Sequence, residues 1–246
     1  ENPVTISTVD RLMASAKQRV RLTKTASFTT VAAQWSSTFD VAGEPGAGSL
    51  AIGNTTNGVV PTDATAGFPA INAFGVGNTG YLAKLAWGSS VACRLCLFDR
   101  LWHAGSINLN AAGTTSFTAQ PSYLARTIDG TGVGVEIWIE INAAVSATAT
   151  TVTVTYTNSD GTAGRTTASS GSLSGFVTRR LMQLPLQAGD KGVQKIDSVI
   201  VGGTVASAGT INVIAARSLY DHARVKIAND GDTAGWDLTL MPQVFE

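Results

Sequence analysis

Five branched aliphatic residues at strict two-residue spacing constrain this chain more than any other feature. Val133, Val135, Ile137, Ile139 and Ile141 alternate with Gly134, Glu136, Trp138 and Glu140, which gives one apolar and one mixed face. A second run follows: Val152, Val154 and Tyr156 interleave with Thr151, Thr153, Thr155 and Thr157. Asn158-Ser159-Asp160-Gly161 then supplies a hairpin turn. Further strands are predicted over Val91–Phe98, Phe176–Leu184, Val193–Val201, Thr210–Ala216, Ala223–Ile227 and Trp236–Met241. Many short strands separated by turn signals predict an all-β fold, a β-sandwich of jelly-roll-like type. Tyr81–Trp87 is the one later segment left open as helical.

The N-terminus departs from this period. Ser7-Thr8-Val9-Asp10 has the form of a capping box, and Val9, Leu12, Met13 and Ala16 fall on one helical face. Basic residues surround that stripe, including Arg19 and Arg21. So short a helix needs a surface on which to bury its apolar side. It packs either on its own domain or, as an arm, on a neighbouring subunit. The domain reading is therefore an N-terminal helix or arm over 1–25 and a single β-sandwich over 26–246.

Residues 43–80 form a long Gly/Pro-rich stretch with nine glycines, three prolines and only Glu44 and Asp63 for charge. Structureless loops longer than about 12–15 residues are usually functional or disordered. This one carries Leu50, Ile52, Phe68 and Phe74, which points to an extended loop lying on another protein surface.

Charge then limits the partners. Charged residues are 14% of the 246, against about a quarter in ordinary soluble domains, and the formal net charge is zero. Such a chain has no global attraction for nucleic acid, and near-zero charge favours association. No apolar run approaches the roughly 18 residues of a membrane span, and the first twenty residues show no signal-peptide core.

Candidate chemistry is sparse. Cys93 and Cys96 form C-x-x-C, but on a strand these positions face opposite sides, and His103 is the only nearby partner for a metal. They read as structural thiols. Gly75-Val76-Gly77-Asn78-Thr79-Gly80 matches G-x-G-x-x-G, with Asp99 about twenty residues on, yet it ends a loop and feeds strands. Glu136 and Glu140 share a strand face but stand about 13 Å apart at roughly 3.3 Å per residue. A glycosidase pair stands at most about 9.5 Å apart, so both glutamates read as a solvated or interface-facing surface. Asn229-Asp230-Gly231-Asp232 reads as a turn rather than a calcium loop, and His222 beside Asp221 finds no nucleophile elbow. Trp87, Trp102 and Trp138 sit in apolar runs that read as core. No catalytic, cofactor or metal site is expected, and the chain reads as a non-enzyme.

Leu184-Pro185-Leu186-Gln187-Ala188-Gly189-Asp190-Lys191-Gly192-Val193, with Ile196-Asp197-Ser198-Val199 and the link to Thr210–Leu219, resembles C-terminal regions of tailed-bacteriophage virion structural proteins. Leu85–Ser90 through Leu101–Gly105 is similar in character. The resemblance implies a capsid decoration, or cement, protein on the outer capsid surface of the virion. It would partner the major capsid protein and itself, as a homo-oligomer with a trimer favoured, and would contact neither nucleic acid nor membrane directly. The interface residues expected for it are Val9, Leu12, Met13, Ala16, Arg19, Arg21, Leu50, Ile52, Phe68 and Phe74. A tail or spike component, or a carbohydrate-binding β-sandwich on the virion surface, is the alternative.

Overall fold

The computed structural model describes residues 8, 10, 18–53, 56–76, 78–236 and 241–245. The expected helical stripe of Val9, Leu12, Met13 and Ala16 lies outside them. The described chain is all-β, with antiparallel sheets and, among the described residues, a single 3-10 turn at Leu124–Arg126. In chain order the strands are β1 (Thr23–Lys24), β2 (Trp35–Ser36), β3 (Gly43–Glu44), β4 (Gly80–Tyr81), β5 (Lys84–Ser89), β6 (Cys93–Asn108), β7 (Gly113–Ser116) and β8 (Val135–Ala143). They continue with β9 (Thr150–Asn158), β10 (Arg165–Thr166), β11 (Arg180–Leu184), β12 (Val193–Gly203), β13 (Thr210–Val225), β14 (Asp230–Gly235) and β15 (Gln243–Val244). The Tyr81–Trp87 segment is thus strand, and Asp230–Asp232, expected as a turn, opens β14.

Where the sequence suggested one β domain over 26–246, contacts divide the chain into two compact units. The boundary falls inside β6 and inside β13. The larger unit, Arg21–Ala70 with Arg100–Arg217, is sandwich-like. A five-stranded sheet ordered β2-β11-β8-β13-β6 and a four-stranded sheet ordered β10-β9-β12-β7 supply its core. Alternation does the work: Val135, Ile137, Ile139 and Ile141 of β8 are buried, as are Val152, Val154 and Tyr156 of β9. Strand β12 departs from strict alternation. Its pairing with β9 slips between Ile196 and Ser198, so Asp197 is the extra residue of a bulge. That slip lets Ile196, Val199 and Val201 all face inward. The hairpin at 158–161 forms as the sequence predicts: the Asn158 side-chain oxygen accepts from the amides of Asp160 at 3.1 Å and Thr162 at 2.9 Å. Gly161 takes the left-handed φ of 82° that this turn requires.

The smaller unit comprises Glu1–Val20, Ile71–Asp99 and Ser218–Glu246. Strand β14 pairs with β5 from Asp230 opposite Ser89 to Gly235 opposite Lys84, and β15 pairs with β4. Trp87, Tyr220 and Trp236 stack in a row with ring centroids 5.5 Å apart at each step. The Trp87 indole N–H donates to the Arg224 carbonyl at 3.2 Å.

Candidate functional site

Strands β6, β8 and β13 carry polar residues into a wall that is otherwise apolar. Asn212 stands directly opposite Glu140 in the β13–β8 pairing, and both are fully buried. The Arg100 guanidinium grips the Glu140 carboxylate in a two-pronged ion pair of 2.9 and 3.1 Å, with one face over the Phe39 ring at 4.5 Å. A third bond runs from Arg100 to His103 Nδ1 at 2.8 Å. Because a guanidinium only donates, Nδ1 must accept. The His103 proton therefore sits on Nε2, which donates to the Leu50 carbonyl at 3.2 Å. Asn212 Nδ2 donates to that same carbonyl and to Glu140 at 3.2 Å.

The protonation states follow from this geometry. Burial, reinforced by the Arg100 charge, depresses the His103 imidazole to about 3. Burial alone would raise the Glu140 carboxyl, but Arg100 outweighs it and holds the group below the usual carboxylate range. At neutral pH the knot is thus Arg⁺–Glu⁻ with a neutral imidazole.

What the knot holds is the loop. It clasps the Leu50 carbonyl, and farther along Val59 and His103 exchange backbone hydrogen bonds at 2.8 and 2.9 Å. Gly58 lies against the Trp102 indole, where a Cβ would collide with the ring. Leu50, expected at an interface with another protein, is 7% exposed and covered within its own unit. Ile52 and Phe68 remain half-buried, with Phe68 set edge-on to Phe39 at 5.2 Å. Arg21 is exposed and pairs loosely with Glu44 at 3.8 Å. Arg19 and Phe74 belong to the smaller unit, the first exposed and the second half-buried over Gly80.

A second polar cluster pins the segment 185–192. Arg165 binds Asp190 through two bonds of 2.9 and 3.0 Å, and the Tyr156 hydroxyl and Asn158 amide donate to the same carboxylate at 2.6 and 2.8 Å. The Arg165 bonds, helped by the others, hold the Asp190 carboxyl down at about 2. Burial and the adjacent Asp190 push the Tyr156 phenol up to about 12. The Gln187 amide donates back to Tyr156 Oη at 2.8 Å and closes the loop.

The remaining sequence candidates are dispersed. Glu140 is not on a solvated or interface-facing surface, because Asn212 from the neighbouring β13 and Arg100 from β6, one strand farther on, neutralise and bury it. Glu136 accepts from the Trp138 indole at 2.8 Å. Trp102 is core, whereas Trp87 and Trp138 are half-buried. Cys93 and Cys96 are half-buried thiols, and Cys96 Sγ donates to the Asp221 carbonyl at 3.3 Å. The side chain of His222 lies outside the described residues, as does Gly77. The glycine motif makes a turn in which the Asn78 amide donates to the Gly75 carbonyl at 3.1 Å, and it leads into β4 rather than a helix. A cavity of about 200 Å³ opens between Pro121, Leu124, Thr157 and Lys195, whose ammonium is already paired with Asp197 at 3.2 Å.

Sequence reasoning missed Arg100 and Asn212. The signal present was a charged residue and an amide placed within runs otherwise fit for a core. No family model, curated protein or solved structure matches the chain.

Proposed function

We propose that this protein is a non-enzymatic decoration protein of a tailed-bacteriophage capsid, binding the outer shell and bridging neighbouring shell subunits. One observation carries the reading: the Gly/Pro-rich segment is clasped in a single shape by the Arg100–Glu140–Asn212–His103 knot while Ile52 and Phe68 stay half-buried at its surface. A loop held in its binding shape associates without a large ordering cost. The charge-poor composition supports the same reading, since large permanent interfaces are depleted in charge. So does the resemblance over Leu184–Val193, a segment that the Asp190 cluster holds in place.

Binding only to the assembled lattice would stabilise it by mass action, and a repeating lattice raises the effective concentration of each linked contact. Particles depleted of the protein should release DNA at lower temperature or lower magnesium than complete ones, and added protein should restore them. Depleted particles that are equally robust but fail to attach to cells would transfer the reading to a tail or spike component. Retention on a glycan array would transfer it to a carbohydrate-binding module.

A further inference from the structure

The two ends of the larger unit's sandwich differ in charge. Gly203 stands opposite Thr150 and Thr210 opposite Ala143, so the β8–β9 and β12–β13 connections share one end. Four loops meet there, 109–112, 144–149, 172–178 and 204–209, and hydrogen bonds lace them together. The Ser146 amide donates to the Ala208 carbonyl at 3.0 Å, the Leu109 amide to Gly209 at 3.1 Å and the Val145 amide to Phe176 at 2.9 Å. The Ser146 hydroxyl accepts from the Ser207 amide at 2.9 Å. None of the four loops holds a charged residue. Val177 is 41% and Val205 36% exposed, and Ala111, Ala147 and Ala208 are exposed beside them. At the opposite end, loops 127–134, 159–164 and 185–192 hold Asp129, Asp160, Asp190 and Lys191. A charge-poor composition therefore does not account for the bare end, because the same unit places charge in its other loops.

One cation stands on the rim of the bare end. Arg179 is neutralised by Asp40 through bonds of 2.7 and 2.9 Å. Arg180, which opens β11, is not. Its guanidinium lies 3.2 Å from the centroid of the Phe176 ring, and among the described residues no carboxylate pairs with it. Burial pulls the group below its ordinary value with no acid opposing the shift. Stacking fixes the plane of the guanidinium and leaves its N–H edge for a carboxylate from outside. Depletion of charge with enrichment of arginine is the composition of the centre of a protein interface.

We infer that this end docks on the capsid shell, its uncharged loops lying on an uncharged patch of a shell subunit and Arg180 donating to a shell carboxylate. The inference rests on the decoration reading for the identity of the partner. Bridging needs two contact surfaces; the Gly/Pro-rich segment supplies one, and this end supplies the second. Charge complementarity selects a foreign surface over a second copy. A symmetric contact between identical copies through this end would bring both Arg180 side chains into it and no carboxylate from the four loops.

Binding of the full chain to particles depleted of it, read by co-sedimentation, tests the inference. Ala147→Lys puts a charge on the bare end and should weaken binding by at least about tenfold. Arg180→Glu should weaken it by a similar factor. Ala163→Lys adds the same charge at the opposite end and should bind as the wild type does. Ala147 and Ala163 are both exposed, so the circular dichroism and melting temperature of the two lysine variants should be unchanged. Ala147→Lys or Arg180→Glu binding as tightly as the wild type, or Ala163→Lys weakened as much as they are, would overturn the inference and leave the decoration reading standing. A wild type that does not bind depleted particles would overturn both. Self-association of the purified wild type that Arg180→Glu abolishes would give this end to a second copy and overturn the shell contact.

Discussion

Asn212 faces Glu140 across the β13–β8 pairing and donates one side-chain amide to both the Glu140 carboxylate and the Leu50 carbonyl. A core strand pair is thereby tied to a loop 90 residues from its nearer member. Packing alone would leave a Gly/Pro-rich loop sliding over an apolar sheet; a shared buried donor fixes its register. The arrangement depends on charge balance inside the knot.

Glu140→Gln removes that balance and leaves the Arg100 guanidinium buried without a counter-charge. Breaking one side of a buried pair typically costs about 3–5 kcal/mol, far more than the pair itself contributes. Urea unfolding should show a loss of that size. The double replacement Arg100→Met with Glu140→Leu should recover most of it, because it removes both charges together. Equal losses in the single and double variants would mean that shape rather than charge matters here.

Acid should weaken the protein before its ordinary carboxylates titrate. The His103 imidazole moves from 6.5 in the unfolded chain to about 3 when folded. A depressed folded value means the contribution is complete above 6.5 and is lost as pH falls from there towards 3. Glu140, also depressed, adds loss in the same direction, beginning as pH falls through the normal carboxylate range and continuing below it. The urea midpoint should therefore already decline between pH 7 and 5. His103→Gln should flatten that decline while lowering stability at pH 7. A midpoint that stays level down to pH 5 would contradict the buried neutral imidazole.

The sheets were legible because alternation is local: Val135 to Ile141 and Val152 to Tyr156 face the core wherever their partners lie. The spacing Val193, Ile196, Val199, Val201 was harder, since it fits neither period two nor a helix until the strand slips twice, between Val193 and Lys195 and again at Asp197. Glu140 was misread for a physical reason. Its neighbours in sequence place it on a mixed face, and what buries it are Arg100, 40 residues away, and Asn212, 72 away. Leu50 was misplaced likewise, because its partners His103 and Asn212 lie 53 and 162 residues along the chain. Local pattern shows which residues are apolar, but not whether their cover comes from the same chain or another.

Gly58 tests whether the loop needs its close approach. It has a φ of +66°, and a Cβ would run into the buried Trp102 indole. Gly58→Ala should destabilise by roughly 1–3 kcal/mol, combining left-handed strain with overpacking. Gly130 has a similar φ of +72° but open space around it, so Gly130→Ala should cost less. Calorimetry on the two variants separates the steric term from the backbone term. Matching losses would show that Trp102 moves aside.

Asp190→Asn isolates the second pinned segment. The substitution keeps the size of the side chain but removes the charge that receives Arg165, Tyr156 and Asn158. Tyr156 Oη would then lose its strongest acceptor, and with it the fixed position from which it receives the Gln187 amide. Exchange at Gln187 should rise, while amides in the middle of β8, such as Ile139, should keep their protection. The Tyr156 phenol should titrate below its present value of about 12, since one of the two influences raising it is the Asp190 carboxylate. Burial, the larger influence, remains, so the phenol should stay above its ordinary 10.0. Unchanged Gln187 exchange with an unchanged phenol would show that the segment 185–192 is held by its backbone and not by Asp190.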